Sequence, residues 1–528
     1  MTIFSSCQPW LSKCITVPPK YIQASVIISI GGILFGLDTG TIAPLTVMPQ
    51  FDETFGTLSS TVHGLVVSTI LIPAALSSMF TGHLANALGR LVATAIGSFI
   101  FGIGAAIECS SFHLPQLFVG RAIKGIGEGF FLSTLTVYIT EISPPSQRGT
   151  LASLPQLATT LGCLAGYFMC YGSVGIELSL SWRLLFAVQA IIALLFTAST
   201  MLFLPQSPRW LAARGKFEEA ERVWLHLAVP DKEREGVEQE VDDNEKADQE
   251  VKTKDLFAIF APDAWKRTVL GLFLMGMQQA TGIDGVLYYA PLLFQSAGLT
   301  SSTASFLASG ISALLIFLTT IPTLILADKW GRRTSTIVGG IGQVIVMFII
   351  ASLYASDSVH SSYGAGRWVV IICIYLFAII FAATWAVTFK VYVSEIQSAK
   401  TRAGATSLSL SANWVVNWII AFTTPIFLAK SASGCYWMWG SAALVTVIVA
   451  LIWMPETKGK SLEEIDASFR KGDIKGTVSE GGVLELGPVD WLGDQDEDTS
   501  ERDDKHNMKV TSRAVVDTAA SSFTVSLS

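Results

Sequence analysis

The sequence predicts an all-α membrane protein, with twelve transmembrane helices arranged as two six-helix bundles related by pseudo-two-fold symmetry. Three observations lead there. The 528 residues are 51% hydrophobic and only 15% charged, with a mean hydropathy of +0.51, too apolar for an ordinary soluble chain. Twelve apolar runs are long enough to cross a bilayer. The second half of the chain also repeats landmarks of the first.

In order, the first six runs lie near 22–44, 61–84, 91–111, 114–139, 150–172 and 183–204. A charged segment, 205–266, separates them from six more near 267–295, 302–327, 334–356, 366–394, 402–427 and 434–454. Inside that segment, apolar residues at 217, 220, 223, 224 and 227 have helical spacing, so a short helix is expected before a mostly charged stretch over 231–254. The division follows: 1–21 a cytoplasmic N-terminus, 22–204 the first bundle, 205–266 a cytoplasmic linker with short helices, 267–454 the second bundle, and 455–528 a cytoplasmic tail. The tail is rich in Gly, Asp and Ser, with an acidic run over 494–504, and is expected to be largely disordered. Twelve spans put both termini on one side. Arg90, Arg148, Lys329, Arg332, Arg333, Lys400 and Arg402 fall in the loops of one side, against Arg367 and Lys430 on the other, so the first side is expected to be cytoplasmic.

The repeat is carried by short landmarks. Tyr138-x-x-Glu141-Ile142 is followed by Arg148, seven residues after the Glu, and Tyr392-x-x-Glu395-Ile396 by Arg402, again seven on. Gly89-Arg90 between the second and third runs echoes Gly331-Arg332-Arg333 between the eighth and ninth, and Pro205-Gln206-Ser207 echoes Pro455-Glu456-Thr457. Solute carriers are commonly built from such repeats, with a central site between halves that rock.

Composition also excludes classes. The net charge of −7 comes mostly from the middle segment and the tail and gives no reason to expect a nucleic-acid partner. The seven cysteines show no CxxC or metal spacing, so no disulfide framework, metal site or cofactor is expected. The N-terminus lacks a short apolar core with a small-residue cleavage site, so the first run is expected to remain as a span. No nucleophile–base or metal constellation suggests an enzyme. The expected partners are a small-molecule solute, a proton and the lipid bilayer, for a monomer in the plasma membrane.

The most informative stretch is 278–291, inside the seventh run. It holds Gln278, Gln279, Asp284, Tyr288 and Tyr289 at membrane depth, where an ionisable group usually faces a wet cavity or a partner. Thr281, Asp284 and Tyr288 form one helical stripe, and Gln278, Gly282, Gly285 and Tyr289 the next. Interhelical hydrogen bonding is the plain reading of such a face; a solute-binding helix is the sharper one. Asp38 and Arg121, in different apolar runs, are each costly in lipid and together neutralise one another. Lys124 and Glu128, four apart on one helix, are expected to pair with each other.

Over residues 20–465 the chain resembles the sugar porters of the major facilitator superfamily, fungal members most of all. The matching pieces are Gly31-Gly32-x-x-Phe35-Gly36-x-Asp38-x-Gly40, Arg121-x-x-x-Gly125-x-Gly127-x-Gly129, Glu141 to Arg148-Gly149, Pro205-Gln206-Ser207-Pro208-Arg209-Trp210-Leu211, Gln278-Gln279-x-x-Gly282, Asp328-Lys329-x-Gly331-Arg332-Arg333 and Pro455-Glu456-Thr457-Lys458-Gly459. Each piece is weak alone; their joint order is specific. The resemblance implies the major facilitator fold and proton-coupled transport of a monosaccharide, polyol or related small hydroxylated solute by alternating access. It implies a proton-coupling role for Asp38 and Arg121. It implies solute contacts from Gln156, Gln278, Gln279, Phe381, Asn413 and Trp414, with Asn417 a turn later. Amides suit this role because they donate and accept, and aromatic faces cover the apolar side of a sugar ring. Glu141, Arg148, Asp328, Arg332, Glu395 and Arg402 are expected gating residues, in pairs that cross between halves and break on opening; anchoring loops and helix ends is the alternative.

The chain departs from the family pattern at telling places. Asp284 stands where Asn is usual. Ala386-Val387-Thr388-Phe389-Lys390 replaces Gly-Pro-x-x-Trp, so a solute-contacting Trp becomes Lys. Asp284 and Lys390 are therefore added to the candidate solute site, facing one cavity and expected to form a pair. Without Gly-Pro, the tenth span is expected to bend less readily. Asn86, Leu91 and Gln206 replace Asp, Arg and Glu on the cytoplasmic side of the first half, so its salt network is expected to be weaker than that of the second. The cavity replacements keep open a second reading, export of a sugar-derived or acidic secondary metabolite. A non-transporting nutrient receptor is a third.

Overall fold

The computed structural model describes residues 18–144, 147–229, 260–261, 264–299, 302–326, 330–360, 364–397, 402–458 and 469. The charged stretch over 231–254, the tail beyond Lys458 apart from Phe469, Asp328 and the side chain of Arg402 lie outside the described residues.

In the first half, α1 (Lys20–Ile28) and α2 (Ile30–Leu45) make the first span, with a short α3 (Pro49–Phe55) after it. The second span is α4 (Ser60–Ser68) with α5 (Leu71–Leu88), and the third and fourth are α6 (Arg90–Cys109) and α7 (Leu114–Ile142). A one-turn α8 (Arg148–Ala152) leads into α9 (Leu154–Ser173), and α10 (Leu180–Phe203) completes the bundle. Two short helices follow, α11 (Pro208–Ala212) and α12 (Phe217–Leu227). Ser207 caps α11 by accepting from the backbone N–H of Trp210, and the apolar face of α12 buries Ala220, Trp224 and Leu227.

The second half repeats the plan. Its first span is divided into α13 (Trp265–Ala280), α14 (Ile283–Tyr288) and α15 (Ala290–Ser296), followed by α16 (Ser302–Leu326) and α17 (Arg332–Ala355). The tenth span is α18 (Gly366–Ala383) with α19 (Trp385–Ile396), and α20 (Arg402–Lys430) and α21 (Ala432–Trp453) are the last two. Among the described residues, nine helices are long and apolar enough to cross a membrane. The other three spans are the polar ones. Helix α7 carries Arg121, Lys124 and Glu128, α9 carries Gln156 among glycines and hydroxyls, and the seventh span is interrupted. Their polarity is what builds the interior site.

Two local features position that site. Helices α2 and α9 touch backbone to backbone; a methyl on Gly36 would sit 2.0 Å from the Thr159 carbonyl oxygen. Only glycine permits that approach. The seventh span breaks where Gly282 takes φ +85, against the face of Trp439. The break sets Gln278 and Gln279 on one helix and Asp284 on the next. The tenth span also breaks, at Thr384 (φ −123, ψ −69). The tenth span is thus interrupted although it lacks Gly-Pro. Thr384 donates through Oγ1 to the Ile380 carbonyl at 2.6 Å, a back-bond that bends helices without any Gly-Pro.

The halves meet through an apolar plug at one end. Ile42, Leu45, Val66, Val67 and Ile70 of the first half pack with Tyr288, Tyr289 and Phe306 of the second. The Tyr167 hydroxyl donates to the Leu287 carbonyl, and the His63 and Tyr289 rings meet edge to face at 5.3 Å. Following the chain through the spans, this end lies opposite the loops that carry Arg90 and Arg332.

Candidate functional site

Inside the first bundle, three helices bring their charges to one point, and a fourth adds a glutamine. From α7, the Lys124 ammonium donates to Asp38 Oδ1 on α2 at 2.6 Å, to Glu108 Oε2 on α6 at 2.8 Å and to Gln189 Oε1 on α10 at 2.5 Å. One turn back, Arg121 lies 3.6 Å from Asp38 and 3.8 Å from Glu108, and donates to the Val67 carbonyl at 2.9 Å. Gln189 passes the network on to Thr41 Oγ1 at 2.8 Å. The rings of Phe101 and Phe186, each 5.0 Å from the ammonium, seal it. All of these charges are buried. Burial costs several kcal/mol per ion unless each finds partners, and here each cation finds two carboxylates.

Asp38 and Arg121 are thus brought together as the sequence suggests, but Lys124 is the nearer partner of Asp38. The expected Lys124–Glu128 pair does not form. Lys124 turns to carboxylates from other helices, and both Glu128 oxygens are buried without a hydrogen-bond partner. Glu108 and Gln189 were not singled out from sequence. Counting Glu128, three carboxylates face two cations.

A second polar centre lies between the halves. Gln278 donates to the Trp385 carbonyl at 2.9 Å and accepts from Asn413 at 3.1 Å. Gln279 donates to Asn413 Oδ1 at 3.2 Å, and Asn413 also donates to the Met275 carbonyl at 2.8 Å. Asn417, one turn further on α20, donates to Asp284 Oδ2 at 2.5 Å. From the other half, Gln156 accepts from Lys390 at 2.8 Å. Lys390 is exposed, lies six residues before the Ile396 end of α19 and reaches across to the other bundle, as a side chain in contact with water between the halves does. Trp414 is half-buried, edge-on to Phe35 of the first half at 5.9 Å.

The expected Asp284–Lys390 pair is corrected here. The two lie within electrostatic reach of one another but not in contact. Asn417 takes the carboxylate, Gln156 takes the ammonium, and each amide provides the closer partner. Phe381 is buried in the second bundle's core beside Phe377, and no described contact joins it to the amides. Tyr288 lies within electrostatic reach of Asp284, Glu128 and Asp38, between the two polar centres.

At the looped ends the repeat becomes a matched pair of ion pairs. Arg90 holds Glu141 at 2.8 Å in the first half, and Arg332 holds Glu395 at 3.1 Å in the second. Both join helices of the same bundle. Glu456 accepts from the backbone N–H groups of Arg332 and Arg333 at 2.7 and 3.1 Å, capping α17. Its counterpart Gln206 packs beside Gly89 with its Oε1 unpartnered. Arg148 is half-buried at the start of α8.

Comparison with known proteins gives one consistent pattern. The profile of the sugar (and other) transporter family matches residues 24–469. A high-affinity glucose transporter of Kluyveromyces lactis is 31% identical over 457 residues, covering 83% of each chain. A galactose–proton symporter of Escherichia coli is also 31% identical, covering 84% of this chain and 93% of its own. Among solved structures, the proton:xylose symporter XylE bound to 6-bromo-6-deoxy-D-glucose superposes with a TM-score of 0.71 at 27% identity, covering 85% of this chain and 99% of that one. XylE of Escherichia coli in a partially occluded inward-open form superposes with a TM-score of 0.68.

Proposed function

The chain belongs to the sugar transporter family of the major facilitator fold, and from that premise we propose that it carries a monosaccharide, polyol or related small hydroxylated solute across a membrane by alternating access, coupled to a proton. The observation that carries the reading is the bond from the exposed Lys390 of the second half to Gln156 of the first, beside a network of amides. Gln156, Gln278, Gln279, Asn413 and Asn417 offer paired donors and acceptors to hydroxyls, and Trp414 offers a ring face.

Residues 22–204 and 267–454 act as the rocking units, with 205–266 as their cytoplasmic bridge. Opposite the plug, the Arg90–Glu141 and Arg332–Glu395 pairs brace each bundle at the loop-rich end, which the excess of Lys and Arg assigns to the cytoplasm. Both termini then face the cytoplasm, and the apolar plug lies at the opposite end. The protein acts as a monomer in the plasma membrane.

Proton coupling is assigned to Asp38. Its carboxylate bonds Lys124 and lies near Arg121, so adding a proton there would release both cations and loosen α2 from α7. In proteoliposomes, Asp38→Asn is expected to abolish solute accumulation driven by a proton gradient while keeping exchange of labelled for unlabelled solute. Gradient-driven accumulation by Asp38→Asn equal to the native protein refutes the coupling role. Failure of the native protein to exchange any sugar, polyol or sugar acid refutes transport of this class.

A further inference from the structure

The chamber contains a cation whose position calls for a partner that the protein does not supply. Lys390 has three donor hydrogens, and the one bond described for it goes to the neutral amide oxygen of Gln156. Among the described residues no carboxylate contacts its ammonium. Other cations of the bundles behave otherwise: buried Lys124 contacts two carboxylates, buried Arg121 lies near two, and the half-buried Arg90 and Arg332 each hold one. Asp284, the carboxylate that would suit Lys390, is held by Asn417 on another helix. The Lys390 side chain is also exposed, so a solute entering between the halves meets it.

Resting on the transport reading above, we propose that the solute is a hydroxylated monocarboxylate, a sugar acid or cyclic polyol acid, with its carboxylate bound by Lys390 and its hydroxyls by the amides of Gln156, Gln279, Asn413 and Asn417. The two charged groups divide the chamber. Lys390 supplies the point positive charge that one carboxylate requires. Asp284, within electrostatic reach of Lys390, opposes a second negative charge. Dicarboxylates and phosphate esters are therefore rejected, while a solute with hydroxyl donors at its far end satisfies the Asp284 carboxylate. A neutral hexose leaves Lys390 with only the Gln156 bond. The carboxylate is thus the feature by which this chamber distinguishes its solute.

The test is exchange in proteoliposomes loaded with unlabelled probe, read with labelled D-gluconate, D-glucuronate, D-glucose, D-xylose and sorbitol, with glucose 6-phosphate as a competitor. The native protein is expected to exchange gluconate or glucuronate at a lower half-saturating concentration than any neutral probe, and glucose 6-phosphate is expected not to compete. Lys390→Gln is expected to weaken the acid roughly ten- to hundredfold, the value of a charge-assisted bond, while Lys390→Arg retains most of it. Tighter exchange of neutral sugars than of either acid overturns the proposal and leaves the transport reading standing, whether or not a Lys390 variant folds. No exchange of any probe overturns both. Equal loss of acid and neutral exchange in Lys390→Gln, in protein that stays monodisperse, would make Lys390 structural and overturn the proposal.

Discussion

Lys124 is the residue on which the interior of the first bundle turns. It is the one cation in hydrogen-bond contact with Asp38 and Glu108 together, while Arg121 stands off at 3.6 and 3.8 Å. Removing one partner of a buried ion pair leaves an uncompensated charge and costs about 3–5 kcal/mol. Lys124→Met is therefore expected to lower the thermal unfolding midpoint in detergent sharply or to prevent isolation of monodisperse protein. Glu128→Gln removes a carboxylate that accepts no hydrogen bond and stands in excess over the cations, so it is expected to leave the midpoint unchanged or raise it. Similar losses in the two variants would show that the charge arrangement described here is wrong. How much of this was legible follows from the physics. Asp38 and Arg121 could be matched because each is too costly in lipid to stand alone. Lys124 was assigned to Glu128 because the four-residue spacing favours such a pair, but by only about 0.2–0.5 kcal/mol. Two carboxylates from other helices outweigh that, and Glu108 sits so near the end of its apolar run that it reads as interfacial.

At the scale of elements, regular periodicity was readable and interruptions were not. The spacing of Phe217, Ala220, Val223, Trp224 and Leu227 matches the helix Phe217–Leu227. The seventh apolar run gave no sign of its break, because the cause is tertiary: Gly282 adopts a left-handed turn against Trp439, far along the chain. Thr384 breaks the tenth span by a side-chain back-bond that composition does not reveal. The helix starts at the looped end show the repeat's asymmetry most clearly. Glu456 caps α17 through two backbone N–H groups, while Gln206 beside α6 is neutral with its acceptor unused. Asn86 does accept from Arg90 at 2.9 Å, but it brings no charge. Gln206→Glu would place an anion at the N-terminus of α6, beside Arg90. That position is worth about 0.3–1 kcal/mol from the helix dipole. The variant is expected to unfold at a higher temperature at low salt, with the gain shrinking as salt is added. A salt-independent gain, or none, would mean that Gln206 does not stand where Glu456 stands in the other half.

For the whole molecule, the question is what holds the halves in the form described, and the contacts at the plug answer it. Apolar packing around Tyr288, Tyr289 and Phe306 is spread over many side chains, but a directional bond also crosses there, from the Tyr167 hydroxyl to the Leu287 carbonyl. The sequence pointed to two bundles through its repeat, yet it held no signal for this latch, since Tyr167 lies in no repeated landmark. Alternating access requires that the plug open when the looped ends close, so the latch exists in one state and not in the other. Tyr167→Phe keeps the ring and its packing and deletes the bond, a loss of about 0.5–1.5 kcal/mol. An equilibrium between two openings then shifts by roughly two- to tenfold away from the described form. Hydrogen exchange reads both ends at once. In Tyr167→Phe, peptides covering α14 and the plug end of α9 are expected to exchange faster, and peptides at the Arg90 and Arg332 ends to become more protected. Faster exchange at both ends would indicate general loosening instead of a shifted balance. Unchanged exchange at both would remove Tyr167 as a latch and leave the apolar packing alone to hold the plug shut.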